Sequence, residues 1–275
     1  MSMSIRTNVA SLDAQRNLSS TQNMLNTAMA RLSSGYRITK AGDDAAGLGI
    51  STKLEAQIRS YNQAVRNAND GVSVIQTTEA ALDNTANIIT RLRELAMQSA
   101  SDGIGDTERA YIETENASLQ EELDRIAQTT KFNGRALLDG SAVTLDFHVG
   151  VEATSNDVIS FTTMDARVQT LFTAGVSLDT KDNAVASLDV LDNALSVVSN
   201  ARSVLGAAGN RLSAAISTIQ SFTEQLSAAD SRIKDVDVAE ETSSMARANI
   251  LQQAGVSVLA QANQQPQLAL KLLGG

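Results

Sequence analysis

Two adjacent carboxylates, Asp43 and Asp44, are the first residues of this sequence whose types could do chemistry. Paired acidic side chains can hold a divalent cation, but a cation site needs further oxygen ligands, and the neighbouring sequence supplies none. Both residues follow Gly42 and precede a long apolar periodic stretch. An Asp at the start of a helix accepts hydrogen bonds from free amides and complements the helix dipole. The position therefore favours helix capping over metal binding.

The rest of the chain offers little catalytic material. His148 is the one histidine, cysteine and tryptophan are absent, and aromatic residues make up 3% of the sequence. Ligand pockets are usually lined by apolar and aromatic side chains with a few convergent polar groups. No Ser-His-Asp arrangement, phosphate-binding loop or glycine-rich dinucleotide motif is present. We therefore expect no enzyme activity, no cofactor, and no catalytic, cofactor-binding or metal-binding residues.

Charge and hydropathy argue against further classes of protein. The net charge of −9 argues against nucleic acid, which requires a basic surface. No uncharged apolar run of about 18 residues could span a bilayer. The first fifteen residues contain no continuous apolar stretch, so we expect no cleaved secretory signal. Export would then use a route without a cleaved leader.

A long apolar stripe indicates that helices position whatever function the chain has. From Leu54, steps of four and three residues meet apolar side chains over about five heptads, with Glu79 as the single interruption. The pattern predicts a helix from about 45 to 101, on the order of 85 Å long at about 1.5 Å per residue. Gly71 lies inside it. The stripe contains Leu54, Ile58, Tyr61, Val65, Ala68, Val72, Ile75, Leu82, Ala86 and Ile89.

A second stripe near the other end predicts a partner helix. Its companion seam begins with Leu188 and Leu195 and then contains Arg202, Gly209, Thr223 and Asp230. A shorter helix is expected between the two. The fold class is therefore predicted to be mainly α, an elongated antiparallel helical bundle or coiled-coil rod. The second stripe contains Leu191, Val198, Leu205, Leu212, Ile219, Leu226 and Ile233, and the shorter helix has Ile112, Leu119, Leu123 and Ile126 on one face.

One region has strand periodicity. Apolar residues alternate from Val143 to Val151, and Ile159 and Phe161 follow the turn-like sequence 155–157. Period-two alternation around an Asn-Asp turn predicts a β-hairpin near 142–163, with His148 on its polar face. Asn-Gly at 133–134 and Asp-Gly at 139–140 predict tight turns.

The two ends carry apolar residues at near-helical spacing and few charges. A lone amphipathic helix of this kind is marginal in water. We expect both ends to be disordered alone and to become helical when they pair with each other and with neighbouring copies. The alternative is that they cover the rod of their own molecule. The predicted packing residues are Ile5, Val9, Leu12, Leu25, Leu32, Leu251, Val258, Leu259, Leu268 and Leu272.

These ends also carry long specific motifs. The sequences IRTNVASL at 5–12, RLSSGYRI at 31–38, DDAAGL at 43–48 and AQANQQP at 260–266 resemble bacterial flagellin. The resemblance implies a structural subunit that polymerises into the flagellar filament, a hollow helical propeller for swimming. It implies an inner core of terminal helices at 1–34 with 236–275, a spoke at 35–46 that includes Gly35, Asp43 and Asp44, and a rod domain at 47–235. Only a short segment could hold an outer domain, so the chain resembles a short flagellin that lacks large variable domains.

The resemblance implies partners as well. These are copies of the same chain, an export chaperone, a distal cap and hook-junction proteins, with type III export to an extracellular flagellum. Arg91, Leu95 and Glu115 match a patch that a host Toll-like receptor recognises in many flagellins. Two other functions stay open, a hook-filament junction protein and a monomeric secreted helical protein for signalling or adhesion. Neither of these would extend into long filaments by itself.

Overall fold

A computed structural model describes residues 7–141 and 144–273, with side chains through Gln264. The described helices are α1 (Val9–Ser34), α2 (Ala45–Ser99), α3 (Asp106–Thr129), α4 (Val168–Leu171), α5 (Lys181–Lys234) and α6 (Val238–Leu273). The described strands are β1 (Lys131–Phe132), β2 (Arg135–Ala136), β3 (Thr144–His148) and β4 (Val158–Thr162). The chain divides into two compact units, Met1–Ala56 with Gln225–Gly275, and Gln57–Glu224.

The second unit is built on an antiparallel pairing of α2 with α5. Tyr61 and Phe222 place their ring centroids 6.1 Å apart, while Arg93 pairs with Asp192 farther along the two helices. The predicted helical class is therefore confirmed. The observed α2 agrees closely with the predicted helix from about 45 to 101. Fully buried side chains on the predicted stripes of α2, α3 and α5 include Leu82, Ile89, Leu123, Leu191, Val198 and Leu212. Leu92 of α2 is also fully buried, although the predicted stripe did not include it.

The predicted hairpin is confirmed. Strands β3 and β4 pair antiparallel, and the register places Phe147 opposite Ile159. Leu145 and Phe161 are buried while His148 faces solvent, as the alternation predicts. A short 3₁₀ turn at Ser155–Asp157 leads into β4.

The hairpin packs closely against α2 at Gly71. A Cβ atom at this position would lie 3.0 Å from Leu212 Cδ1 and 3.0 Å from Phe147 Cδ1. The missing side chain thus leaves room for the Phe147 ring, which stacks on Phe161 with centroids 5.7 Å apart. Asn67 Nδ2 of α2 also donates to the His148 carbonyl over 3.1 Å. The glycine inside the long helix is explained by this close approach.

Both predicted tight turns are present. Asn133 and Gly134 have φ of 48° and 80° and connect β1 to β2, the backbone of a type I′ hairpin turn. Gly140 has φ of 81°. Helix α4 begins nearby, and its first amide, Val168 N–H, donates to Asp124 Oδ1 over 2.8 Å.

An ion pair stabilises the segment before α4. Arg167 Nη2 donates to Asp165 Oδ2 over 2.8 Å, and the Thr170 hydroxyl donates to the same oxygen over 2.7 Å. The Arg167 guanidinium lowers the pKa of Asp165 to about 2. The carboxylate form of Asp165 is therefore part of the folded structure.

Candidate functional site

The first unit is organised around an antiparallel pair of the terminal helices. Polar contacts tie α1 to α6 along its length: Ser11 Oγ lies 2.8 Å from Asn263 Oδ1, and Gln252 Nε2 donates to Gln22 Oε1 over 2.5 Å. The seam between the helices is filled mainly by small side chains, and Leu25 is its largest buried residue. The buried positions are Ser11, Ala14, Thr21, Leu25 and Ala28 on α1, and Ala248 and Ala262 on α6.

Large apolar side chains of the same two helices lie in solvent. Small residues fill the seam and let the helices approach closely, so the bulkier residues on adjoining faces have no cover within the described chain. Exposed apolar patches on a protein surface often mark an interaction site. The exposed set is Val9, Leu12, Met24 and Met29 on α1, and Val238, Ile250, Leu251, Val256 and Val258 on α6.

The residues predicted to pack in the inner core have mixed positions. Leu25 is buried in the seam, and Leu32 and Leu259 are half-buried. Ile5 lies outside the described residues, and the side chains of Leu268 and Leu272 lie outside them too. Their packing in an assembly stays a prediction. Four members, Val9, Leu12, Leu251 and Val258, are exposed in the single chain.

Two grooves run beside the seam. One, of about 480 Å³, is lined by Met24, Ala248 and Leu251, with Arg31 and Glu241 at its polar margin. The other, of about 410 Å³, also includes Met24 and Leu251. Arg31 Nη1 lies 3.6 Å from Glu241 Oε2, which links the helices at that margin. Sequence periodicity did not single out Met24 for this face, because it lies one position away from the buried Leu25.

The connections that enter and leave this helix pair are hydrogen-bonded to each other. Arg37 N–H donates to the Lys234 carbonyl over 2.7 Å, and Val236 N–H donates to the Gly35 carbonyl over 3.0 Å. We call residues 35–37 with 234–236 the crossing. Gly35 adopts φ of 75° as the left-handed cap of α1, and its N–H donates to the Arg31 carbonyl over 2.9 Å.

Side chains reinforce the crossing. Lys234 Nζ lies 4.5 Å from the centroid of the Tyr36 ring and forms an ion pair with Glu55. That carboxylate holds the pKa of Lys234 above its ordinary value. A cation over an aromatic face is attracted by the ring quadrupole. The corner between α5 and α6 is thus fixed by both backbone and side-chain contacts.

The adjacent residues Asp43 and Asp44 have different structural roles. Asp44 Oδ1 accepts from the Gly47 amide over 2.8 Å, which confirms that Asp44 caps α2. The expectation that Asp43 also caps this helix is wrong. Asp43 Oδ2 accepts from the Thr39 hydroxyl over 2.8 Å and from the Lys40 amide over 3.2 Å, and so closes the preceding loop. The Thr39 hydroxyl lowers the pKa of Asp43.

The predicted receptor patch lies in the second unit. Arg91 Nη2 donates to Glu115 Oε1 over 2.9 Å and so joins α2 to α3. The hydrogen bond that Arg91 donates to Glu115 raises the pKa of Arg91. Both side chains are exposed, whereas Leu95 is 2% exposed and belongs to the core. The three residues therefore form two surface positions over one buried support.

Other chemistry is sparse. Among residues 7–141 and 144–273, no three His, Asp or Glu side chains are grouped as a metal site would require. No helix in the described part of the chain is long and apolar enough to cross a membrane.

Comparison with known proteins decides the family. Residues 5–143 match the bacterial flagellin N-terminal helical region, and residues 188–273 match the bacterial flagellin C-terminal helical region. A flagellin of Halalkalibacterium halodurans is 45% identical over 273 residues, which covers 98% of this chain and all of the relative. The chain belongs to the bacterial flagellin family. As a flagellin, it is a structural subunit of the extracellular flagellar filament, and it is a short form.

Solved structures agree with this assignment. The crystal structure of Bacillus cereus flagellin is 28% identical and superimposes with a TM-score of 0.51, covering 56% of this flagellin and 88% of that chain. A chain described as a flagellar hook-associated protein from Vibrio parahaemolyticus gives a TM-score of 0.60 over 70% of this chain and 100% of that chain, at 14% identity. At 14% identity, the similarity to the hook-associated protein shows a shared fold and no more. Full-length identity to flagellin therefore favours the filament subunit over the junction alternative.

Proposed function

We propose that the exposed apolar faces of α1 and α6 form the self-assembly surface of this flagellin. Segments 1–34 and 236–275 would build the inner core around a hollow centre, residues 35–46 would act as the spoke, and residues 47–235 would form the outer rod. The polymer would work as a helical propeller for swimming. This assignment rests on the resemblance together with the exposed faces of the terminal helices.

The observation that carries the proposal is the contrast between the seam and the outer faces. Small residues are buried between α1 and α6, while nine large apolar side chains stay exposed among the described side chains of the two helices. Burying a Val, Leu or Met side chain fully contributes about 1.5–3 kcal/mol. A neighbouring copy that covers several of them gains enough to offset the entropy lost when a subunit is immobilised.

Charge opposes the association of subunits at low salt. The chain carries a net charge of −9, so free subunits repel one another at low salt. Salt screens this repulsion, with a Debye length of about 10 Å at 0.1 M. Assembly is therefore expected to strengthen as salt rises.

A pair of single substitutions tests the surface. Leu251→Asp places a charge on the exposed apolar face of α6, and Asn249→Asp adds the same charge to the same helix without removing apolar area. Purified monomer is mixed with short filament seeds in salt, and polymer is measured by sedimentation and electron microscopy. We expect Leu251→Asp to stay monomeric with unchanged helical circular dichroism, while Asn249→Asp elongates the seeds.

Equal elongation by Leu251→Asp and Asn249→Asp would contradict the proposal that these faces form the self-assembly surface. Removal of residues 251–275 is the stronger version of the test and is expected to leave a soluble helical protein without filaments. Persistent monomer in the unmodified chain, with intact helicity, would instead support a junction or signalling protein.

The same faces suggest how helper proteins would engage the chain. An export chaperone would cover the apolar residues of α6 before assembly, while a distal cap and hook-junction proteins would contact terminal helices at the filament ends. Export in an unfolded state through the type III apparatus suits helices with exposed apolar faces. Co-purification of monomer with the chaperone, lost on Leu251→Asp, tests the first contact.

Receptor recognition is a separate part of the proposal. Arg91 and Glu115 are exposed and held together, so a host Toll-like receptor would contact these two side chains, while Leu95 would act by fixing α2 from the core. Reporter cells that express the receptor, treated with unmodified and Arg91→Ala monomer, provide the test. Equal signalling by both proteins, or none by the unmodified monomer, would remove this patch.

A further inference from the structure

Met24 has a distinctive position among the methionines of this flagellin. It is 49% exposed on α1 and lines both grooves beside the seam, together with Leu251. Met29 of the same helix is 55% exposed. With about 100° of rotation per residue, Met24 and Met29 lie on opposite sides of the buried seam. The two thioethers are thus matched in exposure and in helix but differ in surroundings.

A thioether in this position is open to a specific modification. Peroxides transfer one oxygen atom to methionine sulfur, and the product is a polar sulfoxide that sulfoxide reductases can reverse. In the balanced step, the sulfur lone pair attacks one oxygen of hydrogen peroxide and the O–O bond breaks. The other oxygen leaves as water after it takes up the proton of the transferred hydroxyl, and the sulfur is oxidised to the sulfoxide. Exposure of about one half makes the sulfur of Met24 accessible before assembly.

We propose that Met24 is an oxidation site at which hydrogen peroxide blocks polymerisation of the free subunit. The inference rests on the proposed function, since a neighbouring copy must cover the groove that Met24 lines. In the second groove, a sulfoxide brings an extra hydrogen-bond acceptor into a face shared with Leu18, Leu251 and Val258. A buried acceptor without a donor is unfavourable, and the penalty falls only on the assembled state.

The expected size of the assembly defect follows from that penalty. A buried polar group left without a partner weakens association by roughly tenfold or more. The monomer concentration that remains in equilibrium with filament should therefore rise by about that factor after oxidation. Reduction of the sulfoxide should return it to the starting value.

Three full-length proteins test the site, namely the unmodified chain, Met24→Leu and Met29→Leu. Each monomer is treated with hydrogen peroxide, quenched with catalase, and mapped by peptide mass spectrometry for oxygen added at each methionine. Residual monomer is then measured after seeded elongation. We expect treatment to leave about tenfold more monomer in the unmodified chain and in Met29→Leu, and a smaller excess in Met24→Leu, because Met29 lies on the proposed surface but lines neither groove. The remaining methionines are common to both variants and so act as internal controls.

A fourth variant makes the test independent of the oxidant. Met24→Gln introduces a polar, unbranched side chain of similar length and should reproduce the assembly defect without peroxide. Normal assembly of Met24→Gln would overturn the inference, as would normal assembly of unmodified chain oxidised at Met24, or equal sensitivity of Met24→Leu and Met29→Leu. If Leu251→Asp still blocks assembly in those cases, the proposed surface stands and only the role of Met24 falls.

Discussion

Arg202 of α5 lies opposite Asp83 of α2, with Nη1 3.0 Å from Oδ1, and its other terminal nitrogen is 3.9 Å from Glu79 Oε1. Glu79 is the residue that interrupts the apolar stripe of α2, and Arg202 is the first residue that interrupts the companion seam of α5. These two interruptions of the heptad pattern lie beside each other. A second pair, Arg93 with Asp192, has the opposite arrangement of charges on the same two helices.

These ion pairs distinguish the observed register of α2 and α5 from registers shifted by one heptad. If α5 slid by one heptad, Asp83 would face Leu195 or Gly209 in place of Arg202. Apolar heptads alone tolerate such a shift, because every seventh residue is aliphatic. Polar residues in a seam are a known means of fixing register in coiled coils. We infer that charge selects the alignment that the apolar stripe permits.

The first prediction concerns this alignment. Arg202→Asp should lower the free energy of unfolding, because it places like charges beside Asp83 and Glu79. The double change Asp83→Arg with Arg202→Asp should recover part of the loss, with a coupling energy of up to about 1 kcal/mol for partly exposed groups. Arg211→Asp, an equal charge change at an exposed position of α5, is the control. Denaturant unfolding of the unmodified chain, Asp83→Arg, Arg202→Asp and the double variant gives the coupling energy, and strict additivity would contradict the assignment.

The second prediction concerns Gly71. Ala is favoured over Gly inside a helix by about 0.5–1 kcal/mol, but a Cβ at Gly71 would lie 3.0 Å from Leu212 Cδ1 and Phe147 Cδ1. Gly71→Ala should therefore displace the hairpin and destabilise the second unit. Gly206→Ala, where a Cβ meets nothing within 4 Å, should stabilise the protein. Thermal unfolding separates the two, and stabilisation by both substitutions would show that Phe147 yields easily.

The third prediction is a pH dependence. The pKa of Asp165 is lowered from 3.8 to about 2 by Arg167, so the unfolded chain binds a proton at this residue at higher pH than the folded chain. Stability from this group is fully present above about pH 4 and is lost as pH falls toward 2. Asp165→Asn should cost about 1–2 kcal/mol at pH 7 and much less near pH 2. Urea unfolding at several pH values measures the difference, and an equal cost throughout would exclude the ion pair as its source.

The fourth prediction concerns the crossing. Gly35 has φ of 75°, which costs an Ala residue about 1 kcal/mol. Gly35→Ala should loosen the end of α1, seen as faster amide hydrogen exchange in its last turn and as an altered filament shape. Gly42→Ala, where a Cβ meets nothing within 4 Å, is the matched control and should leave exchange in α1 unchanged. Equal protection in both variants would mean that the left-handed cap is dispensable.

Periodicity predicted the helices well because long helices bury one face at regular intervals. The stripes from Leu54 and Leu191 identified α2 and α5, and alternation identified the pairing of β3 with β4. These features depend on neighbouring residues in the sequence, so a local pattern is enough to find them.

Long-range contacts were not predictable in the same way. The fit of Phe147 against Gly71 joins a strand to a helix distant in sequence, and Asp43 and Asp44 diverge because a loop folds back onto one of them. Leu95 was predicted as part of a surface patch by family resemblance, but its burial depends on how α2 packs. The assembly faces of α1 and α6 were predicted as apolar, and their partners in a filament stay a prediction.

The crossing also has a consequence for the order of folding. Arg37 Nη2 donates to the Ile233 carbonyl over 2.6 Å, across a separation of 196 residues. Loop-closure entropy disfavours such a contact in an unfolded chain, and pairing α2 with α5 first would shorten the loop that must close. The crossing then forms late and becomes the nucleus from which α1 and α6 zip together toward the chain ends. The most distant parts of the sequence would consequently be the last to acquire structure and the first to open.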